Sequence, residues 1–381
     1  MNSKKFNPLI FLMPLGAGGI AIIPFAFFQY TYEHGPGLVQ LSQIDHGALS
    51  LVNEALFMSL EGIMLLFAAI HIILTLVLIK DLLGWKREDY KALLNDPLRN
   101  ATIVAPFISI IMTMNVFIGP VRFFIPLFAE NLQALMAPAL LAWGLIWLLL
   151  IKTDIRLLKI AFEKSFDVSK VSFGWLLHPF ALGMLTVTGT GIAAMAKDPA
   201  IAHTAAFMSL VSGTMGLFLL AVKLIAIFKS HFASKGMPAK QFLPSFLIVV
   251  PNITLYAISA FRLGHYVENQ FGEHLGIYFM AVMTVAFAFE SWYLLFGMSL
   301  LKDYFRNYFF RKEFYVTQWG LVCPVVAFAV LGSFVFSVFV PSPIIYAAIL
   351  TALVVAIVLF FILLGRQLQC NGIVRETIDC S

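Results

Sequence analysis

Long apolar runs separated by short polar segments recur along all 381 residues of the chain. A helix needs about 20 mostly apolar residues to cross the hydrocarbon core of a bilayer. The pattern predicts ten such helices, over residues 9–32, 53–79, 101–126, 132–151, 173–195, 201–228, 242–261, 275–301, 316–340 and 343–364. The segments between them are too short for a separate soluble core, so we interpret residues 1–381 as one membrane domain that ends in a short tail, 365–381.

Composition supports this class and argues against others. The chain is 61% hydrophobic and 12% charged, whereas soluble domains average about 45–50% apolar and about 25% charged residues. The first apolar run is too long for a signal-peptide core and lacks a cleavage site of small residues, so we interpret it as the first helix. Phosphate-binding glycine loops, His-Glu-x-x-His zinc motifs and Gly-x-Ser-x-Gly elbows do not occur. We therefore expect no enzyme activity, no cofactor and no metal site.

The basic residues predict the orientation, because Lys and Arg accumulate in cytoplasmic loops. With the N-terminus inside, all but three of the 25 Lys and Arg residues fall in inside segments, and the exceptions are Arg122, Lys197 and Arg262. The pattern predicts a multi-pass protein of the cell membrane, plasma or bacterial inner, with both termini and the tail 365–381 in the cytoplasm. The net charge of +5 sits in these loops, so no nucleic-acid partner is predicted.

Prolines repeat in the first half of every odd-numbered predicted helix. Their separations are 92, 73, 72 and 73 residues, for Pro14, Pro106, Pro179, Pro251 and Pro324. The first interval is longer by about the length of the outer loop 33–52, and the period predicts five helical hairpins in tandem. Proline removes a helical hydrogen bond and favours a kink, and freed backbone in a bilayer must face protein or a water-filled cavity. We predict odd helices kinked at proline around a central pore; kinks that serve packing alone remain the alternative.

The odd helices offer neutral polar groups to such a pore. Their central stretches contain no Asp, Glu, Lys or Arg, and we predict that the polar lining includes Asn115, His178, Thr186 and Asn252. Neutral donors can bind an anion weakly at several points, as conduction requires. His178 is the titratable member, and the alternative for it is a hydrogen bond to a neighbouring helix.

Four charged residues near or within the predicted helices have two interpretations each. Arg122 and Arg262 end the third and seventh helices on the outer side, where they form either a basic vestibule that attracts anions or headgroup anchors. Glu61 and Glu290 lie in even helices. Charges at membrane depth are usually functional, so these two residues either couple transport to protons or hydrogen-bond neighbouring helices.

Three local motifs accompany this architecture. They are Phe6-Asn7-Pro8 leading into Pro14-Leu15-Gly16, then Asn95-Asp96-Pro97 before the third helix, and Trp319-Gly320-Leu321-Val322-Cys323-Pro324 opening the ninth. With them, the chain resembles the tellurite-resistance/dicarboxylate transporter family, which includes the slow anion channels of plant guard cells. The resemblance implies a homotrimer in which each subunit has its own pore, lined by the odd helices.

The resemblance also implies an aromatic gate just before the proline or glycine of the ninth helix. The matching position here is Cys323, a smaller side chain, so the chain departs from the family pattern. Phe107 and Phe180 directly follow two of the repeated prolines. Candidates for the narrowest point are therefore Phe107, Phe180 and Cys323, with apolar packing as the alternative for the two phenylalanines.

Three functions are compatible with these observations. The leading hypothesis is a channel or facilitator for small anions such as halide, nitrate or a sulfite-like oxyanion, with the lipid bilayer as its surroundings. The first alternative is a proton-coupled exporter of sulfite, tellurite or a C4-dicarboxylate. The second is the membrane anchor of a quinol or haem oxidoreductase, which places histidines on facing helices as axial ligands; only His71 and His178 lie well inside predicted helices.

Overall fold

The computed structural model describes residues 6–35, 37–167, 170–233, 238–310, 313–370 and 379–380. Ten of its helices are long and apolar enough to cross a membrane, and we number them in chain order. They are α1 (Pro8–Thr31), α2 (Leu51–Leu83), α3 (Asn100–Phe124), α4 (Leu132–Glu163), α5 (Phe173–Met195), α6 (Pro199–Ala233), α7 (Lys240–Phe271), α8 (Gly276–Leu300), α9 (Val316–Val338) and α10 (Pro343–Cys370). The predicted all-α membrane fold of ten spanning helices is confirmed.

Consecutive helices pack against each other in pairs, from α1 with α2 to α9 with α10. The links within the last three pairs are only residues 196–198, 272–275 and 339–342. Links this short can join only antiparallel neighbours. The odd helices therefore all begin at one end of the bundle, which we call the basic face because the predicted cytoplasmic Lys and Arg residues lie there.

The odd helices form a closed inner ring. Helix α1 packs against α3, α3 against α5, α5 against α7, α7 against α9, and α9 against α1 again. Within its 18-residue apolar window α5 is 100% buried, whereas the corresponding window of α4 is 17% buried. Large apolar side chains on the even helices, such as Leu141, Leu145 and Ile225, are exposed, as a lipid-facing outer ring requires.

Every inner helix begins with a 3₁₀ segment at the basic face. These segments are Pro8–Phe11, Asn100–Val104, Phe173–Leu176, Lys240–Ile248 and Val316–Leu321. The α-helical parts that follow start at Leu12, Ala105, Leu177, Val249 and Val322. Each repeated proline is the second or third residue of that part, where the first turn lacks backbone partners and tolerates proline. The prolines thus mark a change of helix type at the basic face.

The remaining elements are short. The outer loop after α1 contains the 3₁₀ turns Leu41–Gln43 and His46–Ala48, and α3 contains a π-helical turn, Phe117–Val121. Other short helices are Arg87–Leu94, Pro126–Glu130, Lys302–Tyr304 and the π-turn Phe305–Phe309. Strand Glu313–Phe314 pairs in parallel with Asp379–Cys380. Of the predicted tail 365–381, α10 includes residues 365–370, and residues 371–378 and 381 lie outside the described residues.

Candidate functional site

A cavity of about 850 Å³ opens at the basic face, and we call it the vestibule. All five inner helices contribute to its wall, through Pro8, Thr102, Gly174, Ser245 and Gly320, one from each. The wall is otherwise mostly neutral; its charged residues among those described are Asp89, Asp96 and Arg99. The 3₁₀ segments of the inner ring therefore surround one shared space.

The deep end of the vestibule lies at the first α-helical turns of the ring. Leu12, Phe180 and Cys323 line it there. Phe180 is buried and Cys323 is half-buried. Beyond this level all residues from Ala181 to Ala193 of α5 are buried, so α5 presents no open surface to a wide passage in this conformation. Phe107 is half-buried and does not contribute to the vestibule wall among the described residues.

Asn115 and Asn252 lie within the inner ring. Asn115 Nδ2 donates a hydrogen bond of 2.9 Å to Thr188 Oγ1, which joins α3 to α5. Asn252 is fully buried, and its Nδ2 donates to the Ile248 carbonyl at 2.9 Å. These amides therefore bond to inner helices.

Two predicted lining residues contact the outer ring. Thr186 Oγ1 donates to the Leu182 carbonyl at 2.7 Å and is 2.8 Å from Ser212 Oγ of α6. His178 Nδ1 is in contact with Lys223 of α6 and lies 3.7 Å from Asp154 Oδ1 of α4. Buried polar groups need hydrogen-bond partners, and α5 finds these partners on α4 and α6. That both residues line the pore stays a prediction.

Arg122 bonds to the outer loop and to its own helix. Its guanidinium is buried. Nη2 donates to the Val39 carbonyl at 2.8 Å, and Nε donates to the Ile118 carbonyl at 3.2 Å. The outer loop therefore folds back onto the end of α3 and covers this cation.

Arg262 lies between two helices of the inner ring. Its Nη1 donates to the Val187 carbonyl of α5 at 2.6 Å. A Cβ atom added to Gly191 would lie 3.1 Å from Nη1, so the absence of a side chain there admits the guanidinium. None of the ion pairs between described residues involves Arg262. A cation without a carboxylate partner therefore lies inside the ring, toward the face opposite the basic face.

The two acidic candidates have different surroundings. Glu61 Oε1 is 3.1 Å from His46 Nε2, so it forms an ion pair with the outer loop when His46 is protonated. Glu290 is fully buried in α8 and accepts a short hydrogen bond from Thr254 of α7, while its Oε2 has no partner among the described residues. Both carboxylates connect an outer helix to a neighbouring segment.

Sequence reasoning missed Asp154 and Lys223, which it assigned to cytoplasmic segments. Both side chains are buried beside His178. The buried positions of α6 include Gly213, Gly216, Leu220, Lys223 and Ile227, at helical spacing. This apolar stripe of i, i+3 and i+4 positions is the signal that could have placed Lys223 on the inward face.

An inner ring of five helices, a vestibule shared by all of them and an outer ring facing lipid define a multi-pass membrane protein of the channel or transporter class. No arrangement of three His, Cys, Asp or Glu side chains suited to a metal occurs in the described part of the chain. The sequence model of the voltage-dependent anion channel family, SLAC1, matches residues 5–367. The chain belongs to this family, as the resemblance to the tellurite-resistance/dicarboxylate transporters predicted.

Family membership fixes the function at a general level. Members are anion channels and transporters rather than enzymes. The chain is therefore an anion-transporting membrane protein. No curated protein matches the chain.

Proposed function

We propose that the chain is a channel or facilitator for small inorganic anions such as halide, nitrate or a sulfite-like oxyanion. It forms a homotrimer in the cell membrane, with a pore in each subunit and both termini in the cytoplasm. The charge of the inner ring carries this proposal. The odd helices contain no Asp or Glu within residues 11–29, 105–121, 171–196, 241–261 and 314–340. Arg262, in contrast, places a guanidinium without a carboxylate partner inside the ring.

The anion follows the axis of the ring from the vestibule to the opposite face. The 3₁₀ segments that precede the repeated prolines form the wide end, and the neutral groups of the vestibule, such as Thr102 and Ser245, bind the anion weakly. Asn115 and Asn252 supply amide donors farther along the ring. Arg262 attracts the anion from the other side. Weak binding at several sites combined with one fixed cation favours both selectivity and release.

Phe180 and Cys323 form the proposed constriction, because both lie at the deep end of the vestibule. Phe107 serves as a matched control, since it also directly follows a repeated proline but does not contribute to the vestibule wall. We expect Phe180→Ala to raise anion conductance in bilayers and Phe107→Ala to leave it near the parent value. Unchanged conductance in Phe180→Ala would contradict this constriction.

Reversal potentials of purified protein in a chloride gradient test the central proposal. The expected potential moves toward the chloride equilibrium value, and substitution by nitrate or sulfite changes it according to the permeability of each ion. A potential that follows the cation gradient would overturn the proposal.

A proton-coupled exporter of sulfite, tellurite or a C4-dicarboxylate is the second candidate function. The observation that favours it is Glu290, a fully buried carboxyl group with one oxygen lacking a hydrogen-bond partner among the described residues. Glu61 suits this role less well because one of its oxygens lies 3.1 Å from His46 Nε2 of the outer loop. Coupling predicts that a proton gradient drives net anion movement without an anion gradient, and that Glu290→Gln abolishes this movement while Glu61→Gln retains it.

The contacts of His71 disfavour the oxidoreductase anchor. Its Nδ1 bonds to the Pro14 carbonyl at 2.7 Å and its Nε2 lies 2.9 Å from Thr113 Oγ1. An axial haem ligand needs a free ring nitrogen. An absorption spectrum of the purified protein without a haem band is the expected result.

A further inference from the structure

A cluster of three buried ionisable side chains lies beside the proposed constriction. Asp154 of α4 is 0% exposed, and His178 of α5 and Lys223 of α6 are each 2% exposed. Lys223 Nζ contacts His178 Nδ1 and lies 4.7 Å from the centre of the Trp175 ring. Asp154 Oδ1 is 3.7 Å from His178 Nδ1. His178 precedes Phe180 by two residues, so the cluster borders the narrow end of the vestibule.

Lys223 replaces a backbone donor that Pro179 lacks. Proline at position i leaves the carbonyl of residue i−4 without its α-helical partner, and for Pro179 this is the carbonyl of Trp175. Lys223 Nζ donates to that carbonyl at 3.3 Å. Trp175 belongs to the 3₁₀ segment Phe173–Leu176, in which Gly174 lines the vestibule. The outer-ring lysine therefore holds one wall segment of the vestibule.

The hydrogen bonds of the cluster are incomplete. Both oxygens of Asp154 and Nε2 of His178 have no hydrogen-bond partner among the described residues. When Lys223 is charged, its ammonium donates to His178 Nδ1, and the neutral imidazole then carries its proton on Nε2. A buried carboxylate without a donor is costly. Protonation of His178 would place a hydrogen on Nδ1, which can donate to Asp154 but repels Lys223.

The groups that face the cluster are few and defined. Tyr256 of α7 donates to the Pro179 carbonyl at 2.6 Å and interacts electrostatically with Asp154. On the same helices as the cluster, Lys152 and Arg156 of α4 and Lys229 of α6 are exposed. The half-buried Trp175 covers Lys223 on the side of the basic face.

We infer that Asp154, His178 and Lys223 form one proton-binding site that controls the constriction at Phe180. A proton bound by His178 is shared with Asp154 and releases Lys223 from the Trp175 carbonyl. Loss of this bond loosens the 3₁₀ segment Phe173–Leu176, which widens the deep end of the vestibule. The inference rests on the proposed anion pathway, because opening is detected as anion flux.

The test measures anion efflux from liposomes with the same pH on both sides, at about pH 5.5 and at about pH 8, which bracket the usual titration of histidine. The expected parent efflux is several-fold faster at the lower pH. His178→Gln and Lys223→Met are expected to give the same efflux at both values. Lys229→Met removes an exposed lysine from the same helix and is expected to keep the parent ratio.

The ratio of the two fluxes separates this role from a structural one. A merely structural cluster would lower the amount of folded protein in the variants without changing the ratio. Equal parent flux at both pH values, or a parent-like ratio in His178→Gln, would overturn the inference even if Lys223→Met does not fold. Absence of anion flux at every pH would instead contradict the proposed function.

Discussion

The inner and outer rings differ in where they carry acidic and basic side chains. Of the six such side chains that are buried among the described residues, the inner helices carry Arg122, at the end of α3, and His178. The outer helices carry the other four, which are His71, Asp154, Lys223 and Glu290. The inner ring thus keeps a nearly neutral interior, while charge is buried one layer farther out.

Polar side chains of the outer ring bond to the inner ring, often to its backbone. His71 Nδ1 contacts the Pro14 carbonyl at 2.7 Å, Trp143 Nε1 donates to the Leu185 carbonyl at 2.9 Å, and Tyr293 Oη donates to the Phe246 carbonyl at 3.2 Å. Backbone groups at membrane depth need partners. Because the outer ring supplies some of these partners, the inner helices can keep small and neutral side chains around the pathway. Loss of these outer-ring donors should therefore lower the stability of the inner ring.

The largest expected effect is on the buried charges of the outer ring. Asp154→Leu removes the carboxylate that interacts electrostatically with the buried Lys223, and a buried charge left uncompensated costs about 3–5 kcal/mol of the free energy of unfolding. Denaturant titration followed by circular dichroism would measure it. Glu163→Leu, at an exposed end of the same helix, should change stability by at most about 0.5 kcal/mol.

A double variant provides the control for charge. Asp154→Leu combined with Lys223→Leu removes both charges and should recover much of the lost stability, since apolar replacement of a whole buried pair is often neutral. If the double variant is as unstable as Asp154→Leu alone, loss of packing rather than loss of charge balance explains the effect.

A second prediction compares packing in the two rings through glycine. A Cβ atom at Gly189 of α5 would overlap the side chains of Trp143 and Ser209, whereas nothing lies within 4 Å of such an atom at Gly62 of α2. Gly189→Ala should cost about 1–3 kcal/mol through overpacking. Gly62→Ala should be neutral or stabilise by up to about 1 kcal/mol. Equal thermal midpoints for the two variants would contradict the difference in packing between the rings.

The fold could be predicted because a bilayer imposes a simple length requirement on apolar runs, and the period of the five prolines supported the pairing of helices. The pattern could not show that the prolines lie at changes from 3₁₀ to α-helix. It also ended the fourth helix at residue 151, where the apolar run stops. Helix α4 continues to Glu163, because backbone hydrogen bonding does not depend on hydrophobicity.

The site was harder to predict because side-chain direction depends on tertiary contacts. Helix α5 is buried on all sides, so periodicity could not tell its pore-facing positions from those that face α6. It did not show that Thr186 contacts α6 or that His178 contacts α4 and α6. Arg122 is covered by Val39, which is 83 residues away in sequence. Lys223 was counted as a topological marker, so its partners Asp154 and His178 were not connected to it.

A third prediction concerns conduction and compares a cation inside the ring with one outside it. Arg262→Gln removes the guanidinium that lies between α5 and α7, and we expect anion conductance to fall about tenfold at low salt as local attraction is lost. Screening should make this loss smaller at high salt. Lys197→Gln removes an exposed cation on the same side of the bundle and should leave conductance near the parent value. Equal effects of both variants would mean that net charge, rather than the position of Arg262, attracts the anion.

The smallest expected effect lies at a surface ion pair, the opposite limit to the buried cluster. Lys240 Nζ is 2.9 Å from Glu313 Oε1, and the lysine side chain is 44% exposed. The hydrogen bond from Lys240 lowers the pKa of Glu313 below its usual range, and a second one from Tyr315 acts in the same direction. Because the folded state holds the lower pKa, the pair stabilises the protein above the unfolded pKa of about 4.3. This contribution is lost as pH falls through the folded value.

Lys240→Met should therefore lower the thermal midpoint slightly at neutral pH and leave it unchanged in strong acid. Lys302→Met removes an exposed lysine without this pair and should leave the thermal midpoint unchanged at both pH values. A difference between Lys240→Met and parent that is independent of pH would show that the lysine acts through packing on the Tyr308 ring, 4.6 Å away, rather than through its charge.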